Sequence, residues 1–367
     1  MHLMGLSEMV SQVKASAAHL ETRGVIGTGQ LWRDGLANTK TIVDSISYVW
    51  EKAPVTLPKM APDEFAKLTA ECQKGWRQRF SAPVFGHQPT VSDQKDLYLP
   101  RLKYELEILK KLDFSGYFLL VQDIVVHAKT NGILVGPGRG SVGGSLVAYL
   151  MGITECDPIR FGLLFERFIN PERLDLPDAD LDFMSSRRHE IVDYLVQKFG
   201  RSRVAGVSNF GTLGAASAIR DVGRVTGLSD RDYSVSKFVP KKHGANVSLP
   251  ECREVGEIDK FANTYPEHWR IMEALEGTIR NFSQHAAGIV VGGCDLVERA
   301  VIEDRKGSPV VCFDKRMVED QGLVKVDVLG LSTLDLIKLC VDYITERTGS
   351  TPDISAVPLD DPNVLKN

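Results

Sequence analysis

Pro177-Asp178-Ala179-Asp180-Leu181-Asp182-Phe183 places a carboxylate at every second position of a segment whose intervening residues are apolar. That period of two belongs to a β-strand, on which successive side chains point to opposite faces. Asp178, Asp180 and Asp182 then share one face, and Ala179, Leu181 and Phe183 share the other. The apolar set can be buried; the acidic set has to be explained. Carboxylates two strand rises apart lie about 6.6 Å from each other, and at an effective dielectric of about 20 each adjacent pair repels by roughly 2.5 kcal/mol. Solvent around an edge strand offsets that repulsion, and so do bound cations. Hard divalent ions such as magnesium take oxygen ligands, one or two carboxylates together with substrate phosphates. The pattern therefore suits either a solvated edge or a metal platform for phosphoryl chemistry.

The chain around this segment has 367 residues, 43% hydrophobic and 25% charged, which is ordinary for a globular protein with two or three domains. Its net charge of -4 gives no global basic signature, so a nucleic-acid role has to rest on local patches. One patch runs from Arg201 to His243, where eight Lys or Arg face three acids. The six cysteines are scattered without a C-x-x-C pair, which excludes a zinc-finger pattern or a disulfide framework and fits a reducing cytoplasm. The N-terminus lacks a basic region followed by an apolar core, and no apolar run approaches 18 residues. The expectation is a cytoplasmic protein without a membrane partner.

Residues 1 to about 50 read as short helices broken by glycines, and the Pro-rich stretch Ala53 to Pro62 reads as a linker. Leu102, Leu106, Leu109 and Leu112 keep one face of an amphipathic helix. A more apolar helix follows from about Tyr117 to Lys129, closed by Asn131-Gly132. Next comes the densest glycine region, residues 133 to 150, which reads as a short strand, a loop and a helix. Glycines let backbone N–H groups approach an anion closely, and a helix that follows presents its positive end to the same ligand. Arg139, Ser141 and Ser145 add charged and hydroxyl donors to this phosphate cradle. Packing glycines in a tight turn would look similar. Gly138-Arg-Gly-Ser-Val-Gly143 also fits the dinucleotide fingerprint formally, the pattern of an oxidoreductase, although no second strand ending in an acid follows at the right distance.

After the acidic strand, Ser185 or Ser186 can cap a helix whose apolar side is Ile191, Val192, Leu195, Val196 and Phe199, ended by Gly200. A helix from about Thr212 to Thr226 carries Arg220 and Arg224 on one face, where they could track a phosphate backbone or simply be solvated. His285 precedes a strand from Ile289 to Val291 and suits either a ligand or a hydrogen-bonded structural role. In Leu323-Val-Lys-Val-Asp-Val-Leu-Gly330, Lys325 and Asp327 share one face and the three valines the other. Beside a metal site Asp327 would complete the ligand set and Lys325 would neutralise phosphate charge; elsewhere the two are a surface ion pair.

The order of these parts resembles the catalytic core of the C family of DNA polymerases, the family of the bacterial DNA polymerase III alpha subunit. The resemblance rests on Gly136 to Ser141 with Gly144-Ser145, Leu164 to Arg173, Pro177 to Phe183, Phe210 to Thr212, Ile219 to Arg224, Arg280-Asn281 with His285 to Gly288, and Gly322 to Leu331. It implies an α/β (α+β) fold, a polymerase-beta-like nucleotidyltransferase palm with a mixed sheet plus a helical thumb insertion. Residues 1–52 would be a helical connector resembling the end of a PHP domain, 53–210 and 283–332 the palm, 211–282 the thumb, and 333–367 a truncated start of the fingers. The implied activity is template-directed transfer of a deoxynucleotide from a dNTP to a primer 3′ hydroxyl in DNA replication, with two magnesium ions roughly 3.5 to 4 Å apart. Asp180, Asp182 and Asp327 would be catalytic and hold the metal, with Asp178 a further candidate. Arg139, Gly140, Ser141, Ser145 and Lys325 would bind the nucleotide; Arg220, Arg224, Lys241 and Lys242 would bind primer-template DNA. PHP, fingers and clamp-binding regions of the family are not represented. The expectation is a fragment or split-gene portion needing a second chain or segment that supplies fingers, along with replisome subunits; a non-catalytic DNA-binding remnant is the alternative.

Overall fold

The computed structural model describes residues 6–25, 28–47, 53–172, 177–242, 245–305, 307–359 and 361–362. Packing divides the chain into Met1–Lys52 and Ala53–Asn367. In the first unit two helices, α1 (Leu6–Glu21) and α2 (Thr28–Ser45), pack on each other.

The second unit is mixed α/β. Strands β1 (Asp180–Met184), β2 (Val204–Thr212), β5 (Ile279–Val291), β6 (Ile302–Arg305), β7 (Ser308–Val311) and β8 (Lys325–Leu331) form one six-stranded sheet in the order β1-β8-β5-β2-β7-β6. β1 runs parallel to β8 and β2 to β7, and the other neighbours are antiparallel. A separate ribbon pairs β3 (Lys241–Lys242) with β4 (Ala245–Asn246). The period-two reading holds at the centre: Leu181 and Phe183 of β1 and Val326 and Val328 of β8 are buried. They share a core with α3 (Glu64–Arg79), α5 (Leu99–Lys111), α6 (Ser115–Thr130), α7 (Leu146–Leu150) and α8 (Arg188–Phe199); the one-turn α4 (Val91–Asp93) leads into α5. α6 is apolar nearly all round, as a helix enclosed by neighbours must be, and Phe118, Leu120, Ile124 and Val125 are at most 1% exposed. Full burial of each such side chain stabilises the fold by about 1.5–3 kcal/mol.

Three expectations change. The Pro-rich segment is packed rather than a free linker: the amide of Thr56 donates to the carbonyl of Gly322 at 2.8 Å, just ahead of β8. Ser185 and Ser186 do not cap α8; their amides and the Ser186 hydroxyl donate to Asp335, on the helix that follows β8. And β5 begins ten residues earlier than its apolar run, because its first half is a solvent-exposed stalk paired with the end of β2 from Phe210↔Phe282 to Thr212↔Ile279.

That stalk carries a helical insert of α9 (Ala215–Val225), α10 (Asp230–Tyr233), α11 (Leu249–Cys252), α12 (Gly256–Thr264) and α13 (Pro266–Leu275). The insert has a core of its own, including Ile219, Val222, Leu249, Ile258, Phe261, Trp269 and Met272. After it, α14 (Lys315–Asp320) joins β7 to β8, and α15 (Ser332–Thr348) follows β8. α15 buries Leu334 and exposes Leu336, Leu339 and Tyr343. Among the described residues no helix is long and apolar enough to cross a membrane.

Candidate functional site

The parallel register of β1 and β8 sets Asp180 directly beside Asp327, with Asp182 two residues along the same face. Asp182 is 8% exposed and Asp327 is 7% exposed, so the acidic face is not the solvated edge that the sequence also allowed. β1 ends the strand order, but the glycine segment covers its free side. Val135 and Arg139 bridge to Phe183 and Asp180, and the Gly136 amide donates to the Asp182 carbonyl at 2.8 Å.

The approach is close enough to require glycine. A Cβ on Gly140, whose φ is +68°, would stand 2.7 Å from Oδ2 of Asp180. Arg139 reaches over the pair, with Nη2 3.2 Å from Asp180 Oδ1 and Nε 3.2 Å from Asp182 Oδ1. Ser141, half-buried, lies in the 3-10 turn that follows, Gly140–Gly144. On the other side Lys325, only 8% exposed, donates to Asp327 Oδ2 at 2.5 Å. Its Nζ is 3.8 Å from Oδ1 of Asp178. Four carboxylates thus meet three cations, the third being Lys315 of α14, whose Nζ is 2.6 Å from Asp178 Oδ2. Burial, opposed by Arg139 and reinforced by Asp178 and Asp327, holds the carboxyl of Asp180 above its ordinary range.

Among the described residues no three His, Cys, Asp or Glu side chains converge as a ready-made metal cage. The donor set still fits a hard divalent cation. It is all oxygen, its carboxylates outnumber its cations, and Oδ1 of Asp327 is buried without a hydrogen-bond partner among the described residues; Oδ1 of Asp178 is likewise unbonded but faces Lys325 Nζ at 3.8 Å. An uncompensated buried carboxylate oxygen is costly, and a cation is the ligand that relieves it.

Ser145 is placed elsewhere. It is fully buried, its hydroxyl donates to Glu105 at 2.9 Å and it caps α7 by accepting from Ala148. The same Glu105 takes the amides of Leu146 and Val147 and pairs with Arg101, which also grips the carbonyls of Gly144 and Leu163. The five-residue α7 therefore offers no free N-terminus to a phosphate, which removes the helix end a dinucleotide site needs. Several loop glycines are there for packing: a Cβ on Gly144 would be 2.4 Å from the Leu164 carbonyl.

Arg220, Arg224, Lys241 and Lys242 are exposed on the insert, on α9 and the β3–β4 ribbon, apart from the aspartates. Arg224 shares Asp221 with Arg280, at 3.0 Å each. His285 makes a local hydrogen-bonded turn: Nδ1 accepts the amides of Ala287 and Gly288 within the β5 bulge beside Asp327 and Lys325. Sequence reasoning missed Lys315 and Tyr117, whose buried hydroxyl accepts the Ala179 amide between Asp178 and Asp180 at 2.8 Å. Neither lies in a periodic pattern that points at the site; only the fold brings them there.

The chain is thus a mixed α/β protein whose six-stranded sheet carries an acidic face ringed by an arginine and two lysines. The chain belongs to the family of the bacterial DNA polymerase III alpha NTPase domain, whose model matches residues 66–330 and so takes in Asp178, Asp180, Asp182 and Asp327. It is 49% identical over 326 residues to the DNA polymerase III subunit alpha of Yersinia pestis, an alignment covering 89% of this chain and 28% of that protein. It is 41% identical over 277 residues to the subunit of the same name from Staphylococcus aureus (strain MRSA252), covering 74% and 26%, and 38% identical over 341 residues to that of Caulobacter vibrioides (strain NA1000 / CB15N), covering 88% and 29%. The chain spans under a third of the length of these relatives.

Proposed function

We propose that this chain carries the nucleotidyl-transfer centre of a DNA-directed DNA polymerase, joining a deoxynucleotide from a dNTP to a primer 3′ hydroxyl in DNA replication. The observation that carries this reading is the side-by-side register of Asp180 and Asp327, with Asp182 on the same face and Arg139 and Lys325 at its two ends. In this reading residues 53–210 and 283–332 are a polymerase-beta-like palm and 211–282 the thumb, with 333–367 the start of the fingers and 1–52 the end of a PHP domain.

Asp180, Asp182 and Asp327 would hold magnesium. When bound, the metal supplies Lewis-acid polarisation of the phosphoryl group and a more acidic primer hydroxyl. Arg139 leaves the carboxylates for the triphosphate, exchanging one set of charge-assisted hydrogen bonds for another. Lys325, already desolvated, is preorganised to neutralise charge that develops on the phosphates. Gly140 lets the loop backbone lie against Asp180 without a side chain between nucleotide and carboxylate. Arg220, Arg224, Lys241 and Lys242 would grip duplex phosphates without sequence preference. Replisome subunits would be its partners, as the replicative polymerase family implies.

Primer extension tests this, using the purified chain with and without a supplied chain carrying the remaining segments of a relative. Magnesium-dependent incorporation, lost in Asp180→Ala and Asp327→Ala, is expected in at least the supplemented reaction. No incorporation in either, with divalent binding intact, would leave a non-catalytic DNA-binding protein.

A further inference from the structure

Asp178 stands apart from the other three aspartates. Arg139 contacts Asp180 and Asp182 but makes no ion pair with Asp178, whose oxygens face two lysines instead: Oδ2 is 2.6 Å from Lys315 Nζ and Oδ1 is 3.8 Å from Lys325 Nζ. The strand register explains the separation. Asp180 is opposite Asp327 on a parallel strand, so Asp178, two residues ahead of the start of β1, comes near Lys325 at the start of β8.

Lys325 is a nearly buried ammonium, and anionic neighbours offset the cost of taking it out of water. Asp327 is one neighbour, at 2.5 Å, but a cation on the acidic face would draw Asp327 towards itself. Asp178 is then the carboxylate that keeps Lys325 in place. Lys315 lies on the opposite oxygen of the same carboxylate; its side chain is 51% exposed, so it is open to a ligand arriving from solvent.

Resting on the function proposed above, we infer that Asp178 is a positioning residue rather than a cation ligand, and that it couples Lys325 to Lys315, a second lysine for the triphosphate. The acidic face divides accordingly: Asp180, Asp182 and Asp327 take the cation, while Asp178 organises two ammonium groups that take phosphate oxygens.

The test separates the two affinities in the full chain. Mn2+ binding is followed by electron paramagnetic resonance, and dATP binding by calorimetry at saturating Ca2+. Asp178→Asn and Lys315→Gln are expected to leave the Mn2+ Kd within about twofold of the parent while weakening dATP by about tenfold and about fivefold, the loss of one charge-assisted contact each. Lys315→Arg should restore most of the dATP affinity, which a purely structural role would not require. The inference is overturned if Asp178→Asn weakens Mn2+ as much as Asp180→Asn does, or if Lys315→Gln leaves dATP binding unchanged. Should Asp180→Asn and Asp327→Asn both leave Mn2+ binding unaltered, the metal reading itself falls; the dATP titrations of Asp178→Asn and Lys315→Gln still decide the lysine pairing.

Discussion

Gly140→Ala isolates the acidic face from the stability of the fold. Two things happen when a methyl is added at Gly140. The residue is held at a φ of +68°, where an L side chain costs about 1–2 kcal/mol, and the new Cβ lies 2.7 Å from Asp180 Oδ2. Ordinary contact begins near 3.4 Å, so the carboxylate has to retreat by roughly 0.7 Å. Turning a carboxylate end aside is cheap for the fold, but metal ligands tolerate only about 0.2 Å of displacement. Divalent affinity should therefore fall about 10- to 100-fold, as when a metal site loses its supporting geometry. Gly227→Ala supplies the control: Gly227 has a φ of +81° and nothing within 4 Å of the added Cβ, so it carries the backbone strain without the contact. Both variants should lose a similar amount in a guanidinium melt, and only Gly140→Ala should lose Mn2+ affinity by paramagnetic titration. If the two bind Mn2+ within a factor of two of each other, the reasoning that places the loop against a cation site is refuted.

Glu105→Ala removes the acceptor of one hydroxyl, two amides and Arg101 from a fully buried position, and should cost about 3–5 kcal/mol in denaturant melts; a loss below about 1 kcal/mol would show that the loop does not depend on it. Duplex binding followed by anisotropy against salt should lose about one unit of its log–log slope for each of Lys241→Gln and Lys242→Gln and less for Arg224→Gln, which Asp221 already neutralises; equal slopes for all variants would remove the insert from the DNA interface. The carboxyl of Asp180 is raised above its ordinary 3.8, first by burial, so the folded state holds that proton more tightly than the unfolded chain. Its contribution to stability is present below 3.8 and lost as pH rises through the raised value. Melting temperature without divalent ions should fall across that window, and Asp180→Asn should flatten the fall; an unchanged profile in the variant would sink this assignment.

How much of this was legible beforehand depends on what kind of interaction was involved. Local alternation is written in the sequence: Leu181 and Phe183, and Val324, Val326 and Val328, announce their strands because apolar side chains recur at every second position, even though the charged residues between them, Asp182, Lys325 and Asp327, are buried as well. The acids on the same strands announce a site because three like charges on one face need an external partner. Register is not local. That Asp180 meets Asp327, while Asp178 meets Lys325 and Lys315, follows from how two distant strands and α14 come together. The first half of β5 escaped because it is a stalk paired to β2 in solvent, where no burial imposes a period on residues 279–285. Ser145 was misread for a related reason. A hydroxyl after a glycine loop suits a phosphate donor and a helix cap equally well, and the deciding partner, Glu105, lies forty positions upstream on another helix. A serine hydroxyl has one hydrogen to give and Ser145 gives it to Glu105, so the contact that takes Ser145 away from the triphosphate also anchors the end of the glycine loop whose start, at Arg139, bridges to the acidic strand. The rigidity of the cradle and the loss of one expected donor are a single physical fact, and the Glu105 and Gly140 variants probe its two ends.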